Sequence, residues 1–290
     1  MQRVTGISEL QDAIEAAKRE GFEIAFVPTM GALHEGHLSL INEARKHAPF
    51  VVVSIFVNPL QFGAGEDFEK YPRTIEEDAA KLEATGVSVL FTPTVNDLYK
   101  GNMNVSESAG HIGELYEGAA RPDHFDGMLT VVAKLFDAVR PKYAVFGAKD
   151  AQQVFLVKQM AAQKFPDLEI VVAPTVREAN GLALSSRNRY LSEADHKVAE
   201  QISAALQAAH GEVERHYRRS FVRRRTIAMR SQSVPTTQVR TSAASMMSAP
   251  ILLRIDDGLY LSSASRPGEP VAATFSQPIQ HAVPTRSRNI

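Results

Sequence analysis

Residues 24–37, with the sequence IAFVPTMGALHEGH, decide how the rest of this chain is interpreted. The apolar run of residues 24–27 is typical of a buried strand, and the glycine at position 31 permits a sharp turn after it. Apolar residues at helical spacing begin directly after His37. The order of strand, tight loop and helix N-terminus predicts an anion site, because free N–H groups and the helix dipole attract phosphate there.

Two histidines, His34 and His37, stand in this segment together with Gly31 and Gly36. Imidazole groups can donate to phosphate oxygens, and glycine lets a nucleotide approach the backbone closely. A zinc site is one alternative, but the helical zinc motif needs histidines four residues apart and the chain has no cysteine. A capping or surface role is the other alternative. The pattern favours phosphate binding.

Strands and helices alternate along the first 210 residues. Apolar and β-branched runs predict strands at 24–29, 51–57, 87–92, 143–146 and 169–176. Apolar periodicity predicts helices at 7–20, 37–47, 75–85, 126–139, 151–164 and 193–209. The alternation predicts an α/β fold with a doubly wound parallel sheet. Ligands bind at the carboxyl ends of strands in such sheets, and the polar motifs of this chain follow those ends.

Amide side chains follow the second predicted strand, in the sequence FVNPLQFG at residues 56–63. Asn58 and Gln61 offer donors and acceptors to a small polar substrate. The alternative is a simple turn, because Asn-Pro commonly starts one.

A lysine follows the fourth predicted strand, in the sequence FGAKDAQQ at residues 146–153. Lys149 is a point charge suited to phosphate, and Gln153 lies one helical turn further on the same side. A solvated ion pair between Lys149 and Asp150 is the alternative, and such a pair contributes little to stability.

Two further segments carry groups that suit a nucleotide. Residues 176–189, VREANGLALSSRNR, combine two hydroxyls and two arginines in a loop that can hold a triphosphate, although a polar linker is the alternative. Glu77 and Asp78 fall in the first turn of a predicted helix, where acidic residues normally complement the dipole. Paired carboxylates there could instead hold Mg²⁺.

Five motifs in series resemble the pantoate–β-alanine ligase (pantothenate synthetase) family. They are MGALHEGH from residue 30, FVNPLQFG from 56, RPDHFDG from 121, FGAKDAQQ from 146 and VREANGLALSSRN from 176. The family belongs to the nucleotidyltransferase superfamily, whose His-x-Gly-His loop binds ATP phosphates. The resemblance implies a Rossmann-like ATP- and pantoate-binding domain at residues 1–191, a connecting helix at 192–210 and, in place of the family's small lid domain, an atypical region at 211–290.

The resemblance implies a ligase that uses ATP and Mg²⁺. Pantoate would attack the α-phosphorus of ATP to give pantoyl adenylate and pyrophosphate, and β-alanine would then displace AMP to give pantothenate. It also implies a homodimer. Two alternatives stay open, a nucleotide binder without catalytic activity and another adenylyltransferase of the same superfamily.

The resemblance also implies roles for individual residues. His34, His37, Lys149 and Arg187 are expected to be catalytic, with His37 donating a proton to the leaving group. Gln61 and Gln153 are expected to orient pantoate, with Asn58 nearby, and Glu77 and Asp78 are the expected magnesium contacts. The expected ATP-binding residues are Met30, Gly31, Ala32, Leu33, His34, Glu35, Gly36, His37, Gly147, Ala148, Lys149, Asp150, Val176, Leu184, Ser185, Ser186 and Arg187.

The chain departs from the family pattern at two positions after the fourth strand. Ala148 stands where the family has glutamate, and Ala151 stands where it has tyrosine. Both changes remove side chains that would support the pocket, so a weaker affinity for substrates is expected.

Composition separates the chain into two parts. Residues 1–210 hold 20 Lys and Arg against 28 Asp and Glu, a net charge of −8, and residues 211–290 hold 12 against 5, a net charge of +7, which together give −1. The last lysine is Lys197, and the later basic residues are all arginines. This loss of lysine suggests altered codon usage, and a reading-frame shift or a divergent end is the hypothesis that explains it.

The same terminal region holds an arginine-rich run at residues 218–225, which is weak support for nucleic-acid binding without a recognised module. The sequence of residues 251–262 predicts a hairpin around Asp257-Gly258.

No apolar run approaches the roughly 20 residues that cross a bilayer, and the N-terminus lacks a secretory pattern. We therefore expect a cytoplasmic protein without membrane or nucleic-acid partners.

Overall fold

A six-stranded parallel sheet organises the unit Met1–Glu212 in the computed structural model, which describes residues 1–231, 251–255 and 258–262. The strands are β1 (Gln2–Val4), β2 (Ile24–Thr29), β3 (Phe50–Ile55), β4 (Val89–Phe91), β5 (Tyr143–Gly147) and β6 (Glu169–Ala173). Their order across the sheet is β1-β4-β3-β2-β5-β6, with all pairs parallel. The predicted α/β fold is confirmed.

Helices pack against both faces of this sheet. The α-helices of the described residues are α1 (Ile7–Arg19), α2 (Glu35–His47), α3 (Ile75–Glu83), α4 (Val95–Tyr99), α5 (Glu117–Ala120), α6 (His124–Val139), α7 (Ala151–Lys164) and α8 (Glu193–Ser231). Alternate residues of the central strands face different apolar clusters, since Phe26 and Val52 pack with α1 and α6 whereas Val27 and Val53 pack with α2 and α3. Burial on both faces explains the continuous apolar runs of β2 and β3.

Sequence patterns missed the shortest elements and misplaced some ends. β1, α4 and α5 have three to five residues, which is too few to show a period. α2 begins at Glu35, two residues before the predicted start, because His34 caps it. α8 continues to Ser231, far beyond the predicted end at residue 209.

The centre of the sheet contains its topological switch point. From β2 the chain moves outward through β3 and β4, and it then returns to place β5 on the other side of β2. In doubly wound sheets a crevice forms outside the carboxyl ends of the two strands at such a point. Here those ends are Thr29 and Gly147.

The second unit, Val213–Ile290, contains a β-hairpin in its described part. β7 (Ile251–Ile255) pairs antiparallel with β8 (Gly258–Ser262), with Ile255 opposite Gly258. The predicted hairpin is confirmed, although Asp257 lies outside the described residues. Within the part of the chain that the structure describes, none of the helices is long and apolar enough to cross a membrane.

Gly127 provides a stability test of the contact between α6 and the turn after β3. A Cβ at this position would lie 2.0 Å from the carbonyl oxygen of Leu60. We expect Gly127→Ala to lower the free energy of unfolding by about 1–3 kcal/mol, because overpacking forces the backbone apart.

Urea unfolding measures this effect, with Gly63→Ala as the control, because a Cβ there meets nothing closer than Glu66 Oε1 at 3.8 Å. Equal stability of the two variants would contradict the predicted close contact.

Candidate active site

A pocket of about 260 Å³ opens at the carboxyl ends of β2, β5 and β6, at the switch point of the sheet. Its walls come from the segments after these strands and from one side of α6. The predicted site residues that line it are Met30, His34, Gly36, His37, Gln61, Gly147, Lys149, Asp150, Gln153, Val176, Leu184, Ser185, Ser186 and Arg187. Segments more than 150 residues apart in the chain thus share one cavity.

The two histidines are fixed by the N-terminus of α2. His34 is the N-cap residue, and its Nδ1 accepts from the backbone N–H of Gly36 at 3.1 Å. The backbone N–H of His34 in turn donates to Nδ1 of His37 at 3.3 Å. The rings lie 4.1 Å apart. Since both Nδ1 atoms accept, both imidazoles carry their proton on Nε2.

The structure gives Gly36 a role beyond access for a nucleotide. A Cβ at this position would lie 2.8 Å from Cε1 of His34, a distance that side chains do not tolerate. The glycine therefore leaves room for the imidazole that caps the helix. The sequence pattern contained this signal only as a glycine between the two histidines.

Burial keeps the histidine pair neutral. It lowers the pKa of His37 from 6.5 to about 3, and repulsion from Lys149, from Lys81 and from His34 in its protonated form adds to the effect. Burial and Lys149 also lower the pKa of His34. A neutral His37 offers a hydrogen bond from Nε2. Its predicted role as a proton donor requires a bound anion to raise its pKa again.

Asn58 lies behind Gln61 and not on the pocket wall. Its Oδ1 accepts from the hydroxyl of Tyr99 at 2.6 Å, and its Nδ2 donates to the carbonyl of Gly127 at 3.1 Å and to Oε1 of Gln61 at 3.2 Å. Oε1 of Gln61 accepts from Asn58 and its Nε2 donates to Sδ of Met30 at 3.2 Å, so one N–H of the amide is left to meet a substrate. The sequence placed Asn58 near the substrate but did not identify Tyr99.

Arg187 reaches the pocket while it is paired with an acidic residue of the loop after β3. Its Nε and Nη2 donate to the two carboxylate oxygens of Asp67 at 2.8 and 2.9 Å. This pairing lowers the pKa of Asp67. The guanidinium also lies 5.4 Å from the ring centre of Tyr71, which lines the pocket. Sequence reasoning did not identify Asp67 or Tyr71.

One wall of the pocket is apolar and was not anticipated. It consists of side chains of α6, namely Phe125, Met128, Val131, Val132 and Leu135. Helix α6 is buried almost all round, so its pattern shows burial but not which side meets a cavity. At the start of this helix, Arg121 and His124 also line the pocket. Their motif supported the resemblance without suggesting a role.

Several predicted ATP-binding residues do not line the pocket. Gly31, Ala32 and Leu33 belong to the loop between β2 and α2 and are buried, whereas Glu35 and Ala148 are exposed. The three buried residues shape the loop through their backbone.

The two predicted magnesium contacts, Glu77 and Asp78, differ in their exposure to solvent. Asp78 is fully buried and its oxygens accept from backbone N–H groups, whereas Glu77 is exposed and does not line the pocket. Among the described residues, no group of three or more His, Cys, Asp or Glu side chains could hold a metal ion. The magnesium assignment stays a prediction, and Glu77 and Asp78 do not form a shared site for the ion.

Fold and pocket together define a doubly wound α/β protein with a cation-lined cavity at its switch point. The chain belongs to the pantoate–β-alanine ligase family, because the model of that family matches residues 2–265. The resemblance to this family is therefore confirmed. The match continues past residue 211, where the sequence suggested that the resemblance ends.

Relatives in several bacteria carry the name pantothenate synthetase. The chain is 56% identical to that of Acidothermus cellulolyticus over 186 residues, covering 64% of this chain and 61% of the relative. It is 54% identical to that of a Mycobacterium species (strain KMS) over 201 residues, covering 69% and 64%. The chain thus spans less than two thirds of the length of these curated relatives.

Two solved structures are similar over most of the chain. The pantothenate synthetase of Thermus thermophilus matches with a TM-score of 0.69 and 39% identity, over 91% of this chain and 95% of that one. The ligase of Francisella tularensis, solved with β,γ-ATP and β-alanine, matches with a TM-score of 0.67 and 33% identity, over 91% and 93%.

The lowered pKa of His37 predicts an acid sensitivity. Below pH 6.5 the unfolded chain takes up a proton that the folded His37 does not accept until about pH 3. The free energy of unfolding should therefore fall as the pH drops from 6.5 towards 3, by at most about 1.4 kcal/mol per pH unit from this residue. Urea unfolding at pH 7 and pH 5 measures the loss.

His37→Gln should reduce this loss, whereas His111→Gln, at an exposed position, should leave it unchanged. Identical pH dependence in the wild type and in His37→Gln would show that the imidazole is not held neutral.

Proposed function

We propose that this protein condenses pantoate with β-alanine to form pantothenate, with ATP cleaved to AMP and pyrophosphate through a pantoyl-adenylate intermediate. Family membership supports this activity. The observation that carries the proposal to this chain is the single pocket shared by the histidine pair, Lys149, Arg187 and two glutamines.

In the first step the carboxylate of pantoate attacks the α-phosphorus of ATP and pyrophosphate leaves. The charge that develops on the phosphate oxygens needs fixed donors and cations. Lys149 and Arg187 supply positive charge, and His34 and His37 supply N–H donors from a helix N-terminus that itself favours anions. Ser185 adds a hydroxyl on the facing loop, whereas the hydroxyl of Ser186 donates to the carbonyl of Ala32. Magnesium enters with ATP as part of the substrate, and no step here depends on a protein ligand to it.

Pantoate carries two hydroxyls and a dimethyl carbon. The pocket has a polar side and an apolar side that match these groups. The α6 wall of Phe125, Met128 and their neighbours suits the dimethyl carbon, since burial of apolar surface is favourable. Gln61 and Gln153 suit the oxygens. Holding the pantoate carboxylate in line with the α-phosphorus makes a bimolecular reaction effectively unimolecular.

In the second step the neutral amine of β-alanine attacks the acyl carbon, and AMP leaves. The donors that held the α-phosphate remain in place to stabilise the leaving AMP. We propose further that the enzyme acts as a homodimer in the cytoplasm, in line with the family resemblance. Light scattering of the purified protein tests the dimer.

AMP production tests the proposed reaction. We expect AMP only when ATP, pantoate and β-alanine are all present, and pantothenate in equal amount. AMP formation without pantoate, or AMP transfer to another acceptor, would contradict the ligase activity. ATP binding with no AMP formation would identify a non-catalytic nucleotide binder.

Lys149 should be essential for the adenylation step. We expect Lys149→Ala to lower kcat/KM for ATP by about 10²–10³-fold, because a fixed cation no longer balances the charge of the transition state. The matched control is Lys158→Ala, which removes an exposed lysine of α7 that does not line the pocket. Comparable losses in both variants would argue against a specific role for Lys149.

Tyr99 should act on pantoate through Asn58 and Gln61. Tyr99→Phe removes the hydroxyl that donates to Oδ1 of Asn58, so the amide that orients Gln61 loses one of its contacts and is held less firmly. We expect KM for pantoate to rise about 5- to 10-fold, as for the loss of one hydrogen bond, while KM for ATP stays unchanged. Steady-state kinetics measure both constants.

Tyr143→Phe is the control, because Tyr143 begins β5 at the end away from the pocket and its hydroxyl contacts Glu23. If Tyr99→Phe changed both KM values equally, the contact would support the fold as a whole and not the pantoate site.

A further inference from the structure

Asp78 of α3 is a buried carboxylate whose hydrogen bonds leave its own helix. It is fully inaccessible to solvent. Its Oδ2 accepts from the backbone N–H of Ala32 at 2.8 Å, and its Oδ1 accepts from the backbone N–H of Leu33 at 2.7 Å. The hydroxyl of Thr74 also donates to Oδ2 at 3.2 Å. Both oxygens are therefore engaged by the loop that connects β2 to α2.

That loop has a backbone that needs external support. Gly31 has a φ of 85° and Ala32 a φ of 50°, so two successive residues occupy the left-handed region. For alanine this conformation is unfavourable and persists only where the surroundings enforce it. A Cβ at Gly31 would lie 2.9 Å from Ile55 and 3.2 Å from Asp78, which shows how closely the carboxylate approaches.

The carbonyl groups of the same two residues are held from other sides. Ser186 donates from its hydroxyl to the carbonyl of Ala32 at 3.0 Å, and Lys81 donates to the carbonyl of Leu33 at 2.8 Å. The Ala32 peptide thus connects α3 to the serine loop on the far side of the pocket. Leu33 immediately precedes His34, whose backbone N–H orients the ring of His37. A shift of these peptides would move the histidine pair and the serine loop together.

A helix-dipole role does not account for this arrangement. Glu76 lies in the same first turn, is exposed and can complement the dipole at the surface. Both oxygens of Asp78 instead accept hydrogen bonds from a loop more than 40 residues away in sequence.

We propose that Asp78 is a positioning residue that holds the loop between β2 and α2 in its ATP-binding conformation. It acts on ATP indirectly, through the backbone N–H groups of this loop, and not through a metal ion. This inference rests on the proposed function, since it assumes that the loop holds ATP. It replaces the direct magnesium contact expected from the sequence with an indirect role.

Direct ATP binding with and without magnesium separates the two roles. Calorimetry is performed on the full chain, once with Mg²⁺ and once with EDTA, in the absence of pantoate and β-alanine. Asp78→Asn places an NH₂ against a backbone N–H, so at least one of the two contacts is lost. We expect the affinity for ATP to fall by about 10-fold or more, by the same factor in both conditions.

Two further variants complete the test. Glu76→Gln, in the same turn of α3, should bind ATP as the wild type does. Thr74→Val removes only the supporting hydroxyl, so we expect a smaller loss of about 2- to 3-fold, again in both conditions. This milder change decides the matter if Asp78→Asn does not fold, as judged by circular dichroism.

A loss seen only with Mg²⁺ would identify Asp78 as a metal contact and overturn the proposal. Folded Asp78→Asn or Thr74→Val protein with unchanged ATP affinity would overturn it as well. A wild-type protein that binds no ATP would contradict both this role and the proposed function. If the wild type binds ATP but forms no AMP, the proposed reaction fails and the role of Asp78 stands.

Discussion

The pairing of β2 with β3 on one side and β5 on the other is the constraint on which the site depends. Parallel strands end at the same edge, so the loops that follow β2 and β5 must emerge side by side. The segment after β6 joins them because β6 pairs with β5 in register from Tyr143 to Gly147. Apolar burial on both faces of the sheet fixes this register, since a slip of one residue would turn core side chains towards the wrong layer.

The electrostatics of the pocket follow from where its charges are placed. Lys149 and Arg187 lie near the surface in ion pairs, whereas burial lowers the pKa values of the histidine pair. Arg187 is already paired with Asp67, so an incoming phosphate competes with a carboxylate for the same guanidinium. A polyanion that enters the pocket would raise the pKa values of the two histidines again, because a nearby negative charge favours the protonated imidazole.

Much of the fold was predictable because its signals are local. The long strands and helices have clear apolar periods, and His34, His37 and Lys149 lie in short motifs at strand ends. Tyr99 and Asp67 were missed, since each acts on the site through a residue far away in the sequence. The apolar wall of α6 was missed because that helix is buried almost all round. Likewise Asn58 reads as a substrate contact in its motif, but the structure shows its amide bonded to Tyr99, Gly127 and Gln61.

The sequence alone determined the alternation of strands and helices, the loops that carry the reactive groups and the family to which the chain belongs. Only the tertiary structure decided which groups are available for chemistry. Asp78 illustrates the difference, because an acidic residue at a helix start looks like a surface group until the fold buries it against two backbone N–H groups. Availability depends on what packs around a side chain, and those neighbours come from parts of the chain that no local pattern connects.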